Sequence, residues 1–218
     1  MPGLFISLEG TEGCGKSTQV RLLSDRLSRL GHNVRSLREP GGTPIGEEIR
    51  HTLKHSAQNA DMTAEAELLL MNASRAQLVR EVIRPALQAG ETVVCDRFHD
   101  STLAYQGYGR QLDLKRIREI VDFAMGDTRP DLTLLLTIPL EVSEQRRRSR
   151  QSSASAQRDR MEEADREFFQ RVEQGYLALA AREPHRIRCI DATAPIENVH
   201  DAIWTAVEQA FNGREKGR

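Results

Sequence analysis

Cysteine is scarce in this chain. The 218 residues include only Cys14, Cys95 and Cys189, which lie far apart in the sequence. Three separated thiols are too few for a zinc site or for a framework of disulfides. We therefore expect the cysteines to stay reduced and no metal to be bound through thiolates.

Long apolar segments are also missing. No stretch approaches the ~20 apolar residues of a membrane-spanning helix, and the N-terminus lacks the charged and apolar regions of a signal peptide. We expect a cytoplasmic protein that has no membrane partner. Apolar residues make up 39% of the chain and charged residues 29%, which is typical of a globular protein. The length then predicts a single domain that covers residues 1–218.

An excess of charge of one sign is absent as well, since the formal net charge is −1. This balance argues against a broad basic face, and thus against a nucleic-acid polymer as partner. Lysine is rare and occurs only at Lys16, Lys54, Lys115 and Lys216. Lys16 is notable because it lies in a glycine-rich loop near the N-terminus.

What the sequence does contain is a regular alternation of strand and helix patterns. Five strands are predicted, at Leu4–Glu9, Asn33–Arg38, Thr92–Cys95, Leu132–Ile138 and Arg186–Ile190, and Leu132–Ile138 is apolar enough to be a central parallel strand. Helical patterns lie between them, and the longest, from Thr63 to Ala89, is strongly helical until Pro85 and closes at Gly90. The alternation predicts an α/β fold with a parallel sheet, helices on both faces, and ligands at the carboxyl ends of the strands.

A phosphate-binding loop follows the first predicted strand. Residues 10–17 match the pattern G-x-x-x-x-G-K-[ST], and they lie between a strand and a helix, where backbone N–H groups and the helix N-terminus attract anionic oxygens. Lys16 is expected to reach the β- and γ-phosphates. An ordinary glycine turn with a surface lysine is the alternative, and this context argues against it. We expect ATP to be bound by Gly10, Thr11, Glu12, Gly13, Cys14, Gly15, Lys16, Ser17 and Thr18.

Asp96 and Arg97 directly follow the predicted strand Thr92–Cys95. An aspartate at this place often accompanies a phosphate loop and, with Ser17, predicts the ligands of a Mg²⁺ ion. Alone the pattern is weak, because an aspartate after a strand is more often a helix cap. Arg97 could bind an acceptor phosphate with both guanidinium nitrogens beside the metal.

A basic segment lies in the second half of the chain. Its arginines are Arg146, Arg147, Arg148, Arg150, Arg158 and Arg160, with Asp159 as the one acidic residue among them. Such a run is usually a solvated helix end followed by a loop. Beside a phosphate loop it favours a flexible lid, at about 148–162, whose arginines stabilise the charge of phosphoryl transfer. Arg148, Arg158 and Arg160 are the candidates.

These motifs together resemble the thymidylate kinase family in its bacterial form, over nearly the whole chain. The resemblance rests on the phosphate loop, 38–43 (REPGGT), Ser74 and Arg75, Asp96 and Arg97, 104–107 (AYQG), Asp159 and Arg160, and 191–195 (DATAP). It implies transfer of the γ-phosphoryl group of ATP to dTMP, giving dTDP and ADP, a step in dTTP synthesis. It further implies a requirement for Mg²⁺, usually a homodimer, and the P-loop NTPase, adenylate-kinase-like fold with a five-stranded parallel sheet in the order 2-3-1-4-5.

The resemblance also implies roles for individual residues. Arg75, Thr102 and Gln106 would contact the thymine ring, and Tyr105 would lie against the deoxyribose, where a 2′-hydroxyl would clash. From the residues alone, Arg75 would be a solvent-facing charge and Tyr105 a core aromatic. The joint spacing of these residues argues against that alternative.

The remaining acceptor residues follow in the same way. Arg97 and Arg50 would bind the acceptor phosphate, and Glu12 would lie near the 3′-hydroxyl. Glu39 and Pro40 complete the expected substrate-binding set. Glu9 would also lie on the acceptor side, or would be a buried, hydrogen-bonded carboxylate of the strand.

Three positions distinguish this chain within the family pattern. Met71 occupies the place where many relatives have a phenylalanine that stacks on thymine, and Phe98 replaces the tyrosine of the common Asp-Arg-Tyr triplet. Glu12 occupies the place where one type of family member has a basic residue. The chain therefore resembles the type whose catalytic arginine lies in the lid.

Three other functions compete with this hypothesis. A kinase for a different nucleoside monophosphate would share the phosphate loop and the lid. A regulatory GTPase would require an Asn-Lys-x-Asp motif, which the sequence lacks. A nucleotide-binding module without turnover is disfavoured because Asp96, Arg97 and the lid arginines are present.

Overall fold

Strands and helices alternate through the computed structural model, which describes residues 3–56, 58–151 and 164–216. The five strands are β1 (Phe5–Glu9), β2 (Val34–Arg38), β3 (Thr92–Asp96), β4 (Leu132–Thr137) and β5 (Ile187–Asp191). All are parallel, and their order in the sheet is β2-β3-β1-β4-β5. Phe5 pairs with Val93 of β3, and Ile6 pairs with Leu132 of β4. The α/β fold and the strand order are confirmed.

Nine α-helices lie between and after the strands of the described residues: α1 (Lys16–Arg29), α2 (Pro44–Lys54), α3 (Ala64–Leu78), α4 (Arg84–Gln88), α5 (His99–Thr102), α6 (Leu114–Met125), α7 (Leu140–Gln151), α8 (Arg166–Arg182) and α9 (Ile196–Lys216). Two π-helical turns join them, at Val79–Ile83 and Leu103–Gly109. Among the described residues, no helix combines the length and the apolar composition that crossing a membrane requires.

Two apolar cores cover the two faces of the sheet. Neighbouring side chains of a strand point to opposite faces, so Phe5 packs into one core and Ile6 into the other. The first core also holds Leu78 of the α3 segment and Phe169 of α8. The second core holds Leu23 of α1, together with residues of α9. Helices therefore cover both faces, as the sequence predicted.

The longest predicted helix is interrupted, although its path continues. Instead of one α-helix over 63–89, α3 ends at Leu78, a π-helical turn follows, and α4 begins at Arg84. Pro85 explains the interruption, because it has no N–H and its ring would clash with the carbonyl of Glu81 in a regular α-helix. The wider π-turn accommodates that carbonyl.

Candidate active site

The loop between β1 and α1 has the geometry of a phosphate cradle. Gly10 has φ 136° and Gly15 has φ 93°, conformations that L-residues rarely adopt. A Cβ on Gly10 would lie 2.4 Å from the carbonyl oxygen of Leu136. Lys16 is the first residue of α1, and its ammonium donates to the carbonyls of Gly10 (3.0 Å) and Thr11 (2.9 Å). Loop, ammonium and helix N-terminus thus converge on one anion-binding place.

The two predicted metal ligands lie side by side. The Ser17 hydroxyl donates to Oδ2 of Asp96 at 2.7 Å, so the first turn of α1 meets the carboxyl end of β3. Both offer the hard oxygen atoms that Mg²⁺ prefers. Elsewhere in the described residues, no cluster of three His, Cys, Asp or Glu side chains could hold a metal by itself. A Mg²⁺ ion that also binds phosphate oxygens fits this pair.

Arg97 is held at the centre of the site. Its φ is 71°, a left-handed conformation that is uncommon for a residue with a side chain. The guanidinium donates to Glu12 Oε1 (2.7 Å), the Gly10 carbonyl (3.0 Å), and the hydroxyls of Ser101, Tyr105 and Tyr176 (3.1 Å each). These contacts come from the phosphate loop, from the segment after β3 and from α8.

Glu9 lies beneath Arg97 and is completely buried. Its carboxylate accepts hydrogen bonds from Phe98 N–H (2.7 Å), the Ser101 hydroxyl (2.6 Å) and the Tyr176 hydroxyl (2.9 Å). Loss of hydration and, to a smaller extent, the nearby Asp100 raise the pKa of Glu9 to about 7, although Arg97 and the hydrogen bonds act in the opposite direction. Ser101 and Tyr176 thus connect Glu9 to Arg97 by hydrogen bonds, and Glu9 is a buried, hydrogen-bonded carboxylate of the strand.

Two clefts meet at Arg97. The first, the apolar cleft, is lined by Glu12, Glu39, Pro40, Lys54, Met71, Arg75, Arg97, Phe98, Ser101, Thr102, Tyr105 and Gln106. The second, the charged cleft, is lined by Glu12, Gly13, Gly15, Lys16, Ser17, Thr18, Arg38, Glu39, Arg50, Lys54, Asp96, Arg97, Gln145, Arg146 and Ser149. Glu12, Glu39, Lys54 and Arg97 belong to both. A molecule in the apolar cleft would therefore direct a charged group toward the phosphate loop.

One wall of the apolar cleft is a buried ion pair. Arg75 is 2% exposed, and its Nε and Nη2 donate to Glu39 Oε2 at 3.0 and 2.7 Å. Its Nη1 donates to Asn72 Oδ1 (2.9 Å). Glu39 precedes Pro40 in a cis peptide bond. Arg50 donates to the Pro40 carbonyl at 2.9 Å and lines the charged cleft.

Tyr105 and Gln106 reach the cleft from the π-helical turn at Leu103–Gly109. Burial raises the pKa of Tyr105, so its phenol stays neutral beside Arg97. Thr102 ends α5 just before this turn. A π-turn changes the direction of consecutive side chains, and such turns are frequent at functional sites.

Comparisons with known proteins agree with this geometry. The family model described as thymidylate kinase matches residues 8–203. The chain belongs to the thymidylate kinase family. Its relatives include thymidylate kinases from Syntrophotalea carbinolica (49% identity, covering 95% of this chain and 96% of the relative) and Deinococcus radiodurans (48%, covering 95% and 97%). A solved thymidylate kinase from Ehrlichia chaffeensis superimposes with a TM-score of 0.76 at 32% identity, covering 95% of this chain and 99% of that one.

Most residues singled out from the thymidylate kinase motifs line the two clefts. The exceptions within the phosphate loop are Gly10, Thr11 and Cys14, which accept hydrogen bonds from the Lys16 ammonium through two carbonyls and the Cys14 sulfur. Arg148 lies on α7, which borders the charged cleft at Gln145 and Ser149. Arg158 and Arg160, with most of the segment 148–162, lie outside the described residues.

Sequence reasoning missed three side chains that support the site. Tyr176 and Ser101 connect Glu9 to Arg97, and Arg146 donates to the carbonyls of Gly13 and Ala192 (3.3 Å each). Tyr176 is separated from Glu9 by 167 positions, so no local pattern joins them. Arg146 was named in the sequence only as part of the basic run, and its contact with Ala192 of the 191–195 motif spans 46 positions, so no local pattern indicates it.

Proposed function

We propose that this thymidylate kinase family member transfers the γ-phosphoryl group of ATP to dTMP, giving ADP and dTDP. The observation that carries the proposal is the junction of the two clefts at Arg97 and Glu12. One cleft contains the phosphate loop, and the other combines the apolar side chains of Pro40, Met71 and Phe98 with polar groups that could fix the orientation of a base. A nucleoside monophosphate in the second cleft would bring its phosphate next to the γ-phosphate of ATP.

The donor half consists of the phosphate loop and α1. Gly10 to Thr18 would hold the phosphates of ATP, and Lys16 would neutralise the charge that develops between the β- and γ-phosphates. Ser17 and Asp96 would hold Mg²⁺, which supplies charge neutralisation at the phosphate oxygens when bound. An oxygen of the acceptor phosphate forms the new bond to phosphorus, and the β–γ bridging oxygen leaves with ADP.

The acceptor half consists of the apolar cleft. Arg97 and Arg50 would hold the phosphate of dTMP, and Glu12 would lie near its 3′-hydroxyl. Tyr105 would fill the space where a 2′-hydroxyl would lie, which excludes ribonucleotides by bulk. The base would meet Arg75, Thr102, Gln106 and Met71, with Glu39 and Pro40 as the adjoining wall.

The arginine that stabilises the transition state would come from the proposed lid at about 148–162, within the single domain of residues 1–218. Lys16 is the only basic residue of the phosphate loop, because Glu12 occupies the position where one type of family member has a second basic residue. Arg148, Arg158 and Arg160 are the candidates, because charge spread over the transferring oxygens is best met by a guanidinium.

A homodimer in the cytoplasm completes the proposal. Leu69 of α3 is 56% exposed and Phe123 of α6 is 84% exposed, on two helices that pack against each other. Exposed large apolar side chains on adjoining helices are typical of an interaction surface. The three cysteines are free thiols, which suits a reducing compartment where ATP is abundant.

A comparison of acceptors tests the function. The purified chain would be given ATP, Mg²⁺ and either dTMP, dUMP, AMP or CMP, and ADP release would be followed. We expect the highest kcat/KM with dTMP. A higher value with AMP or CMP would assign the chain to a different acceptor, and no ADP release with any of them would favour a module without turnover.

A further inference from the structure

Glu67 is a buried carboxylate that none of the steps above uses. It lies on α3, four residues before Met71 and eight before Arg75, so the three side chains share one face of the helix. Its side chain is 1% exposed and forms an ion pair with Arg110, at 3.1 Å from Nη2. A buried carboxylate on the helix face that lines the apolar cleft requires an explanation.

Glu67 also contacts Gln106. Nε2 of Gln106 donates to Glu67 Oε1 at 2.8 Å, and both residues are 1% exposed. A carboxylate only accepts hydrogen bonds, and that of Glu67 is paired with the Arg110 guanidinium. Gln106 must therefore present its NH₂ group to Glu67. Its carbonyl oxygen is directed elsewhere and accepts no hydrogen bond from the described part of the chain.

The direction of this amide matters because Gln106 lines the apolar cleft. Thymine presents a donor at N3–H and an acceptor at O4, whereas cytosine presents an acceptor at N3 and a donor at its 4-amino group. A carbonyl oxygen in the cleft matches the first base and repels the second. Arg75, which can only donate, has the same preference at O4.

We propose that Glu67 is a positioning residue for base selection: it fixes the amide of Gln106 with its carbonyl oxygen toward the cleft, so that bases with N3–H are accepted and cytosine-type bases are rejected. The inference rests on the proposed function, since it concerns the same acceptor site. Replacing Glu67 with glutamine removes the constraint, because a glutamine offers either a donor or an acceptor. Gln106 can then rotate by half a turn and present its NH₂ group to N3 of cytosine.

Three acceptors separate this effect from general damage. dTMP and 5-methyl-dCMP carry the same methyl group and differ only at N3 and position 4. dTMP and dUMP share N3–H and O4 and differ only in the methyl group. For wild type and Glu67→Gln, the experiment measures kcat/KM for all three with ATP and Mg²⁺.

We expect the preference of wild type for dTMP over 5-methyl-dCMP to fall by about tenfold or more in Glu67→Gln. In wild type the Gln106 carbonyl oxygen faces N3 of cytosine, which is also an acceptor, and the variant removes this unfavourable contact. The preference for dTMP over dUMP should stay within about twofold. An unchanged first ratio in an active variant overturns the inference, and so does an equal fall of both ratios, which indicates a loosened cleft. Wild type that does not phosphorylate dTMP overturns the proposed function itself.

A second measurement needs no substitution at Glu67 and decides the matter if that variant does not fold. The side-chain amide resonance of Gln106 in wild type, assigned from its loss in Gln106→Leu, should show slow exchange with solvent. It should keep its position when saturating dTMP is added, because the bond to Glu67 persists. Movement of this resonance to the position of a solvated amide on dTMP binding overturns the inference.

Discussion

At the residue scale, Arg97 combines a left-handed backbone conformation with a guanidinium that is held by several hydrogen bonds. A left-handed backbone costs about 1–3 kcal/mol for a residue with a side chain and persists only when its surroundings hold it. Here the guanidinium makes contacts with Glu12, Gly10 and three hydroxyls. This backbone conformation places the guanidinium at the junction of the two clefts. A bound phosphate could replace some of the hydrogen bonds that the guanidinium makes there.

The buried Glu9 gives a pH-dependent prediction. Its pKa is about 7 in the fold against 4.5 for the exposed group, so the stability from its neutral form is present below pH 4.5 and is lost as pH rises through about 7. Glu9→Gln cannot ionise. The free energy of unfolding of Glu9→Gln minus that of wild type should therefore increase between these pH values, at up to about 1.4 kcal/mol per pH unit.

Urea unfolding at several pH values measures this difference. The pKa of buried His99 is lowered to about 4 by loss of hydration, so its contribution to stability increases with pH, opposite to that of Glu9. Because His99 is present in both proteins, this contribution cancels in the difference. Glu48→Gln, at an exposed position of α2, provides the baseline. A difference for Glu9→Gln that does not change with pH would contradict the assignment.

Met71 gives a second prediction at this scale. It lines the apolar cleft and also packs against the core next to it. Aromatic stacking on a base contributes about 1–3 kcal/mol, so we expect Met71→Phe to tighten dTMP binding in calorimetry. If the phenyl ring does not fit the space of Met71, the overpacked core would lose about 1–3 kcal/mol of stability, which a thermal melt detects. Unchanged affinity with a lowered Tm would show that Met71 belongs to the core and does not face the base.

At the scale of elements, the strands were the most predictable part. All five lie within one residue of the predicted boundaries, because glycine, proline or charged residues lie at or next to their ends. Their order came from the family resemblance, since periodicity does not specify which strands are neighbours. The π-turn before Pro85 was not predicted, because a helical pattern does not distinguish the two kinds of turn.

The site was predictable where its residues form local motifs. The phosphate loop, Asp96 and Arg97 are of this kind. Glu67 was not predictable, because a glutamate in the first turn of α3 has the pattern of a surface charge. Its role arises from Gln106, 39 positions later, and such a long-range pair has no local signal.

The arginines at and beyond the end of α7 give a prediction at the scale of an element. The arginine that acts in the transition state should, as an alanine variant, lower kcat and kcat/KM together by about 10³-fold or more. ATP affinity without acceptor should change little. We expect this behaviour from one of Arg148→Ala, Arg158→Ala and Arg160→Ala.

Arg147→Ala is the matched control, since it removes the same charge one position before Arg148 on α7. Steady-state kinetics with ATP and dTMP, together with ATP titrations, provide the readout. Near wild-type kcat in all three candidate variants would place the catalytic cation elsewhere.

At the scale of the whole molecule, the dimer proposal predicts a mass of twice the 24.6 kDa of one chain. Phe123→Glu should shift light-scattering mass toward the monomer, because a charge would be buried against apolar surface. Leu30→Glu is the control, since Leu30 is 59% exposed at the end of α1, on the opposite face of the sheet. A monomeric wild type, or a dimer that Phe123→Glu leaves intact, would contradict the proposed surface.

The central claim is that one molecule joins a phosphate donor site to a nucleotide acceptor site. Transfer of radiolabel from [γ-³²P]ATP to dTMP, with the product separated by chromatography, tests it most directly. We predict labelled dTDP in an amount equal to the ADP formed, and a rate reduced by about two to three orders of magnitude in Lys16→Ala, which loses the ammonium of the phosphate loop. Label that appears only as inorganic phosphate, or labelled dTDP formed equally fast by Lys16→Ala, would contradict the account.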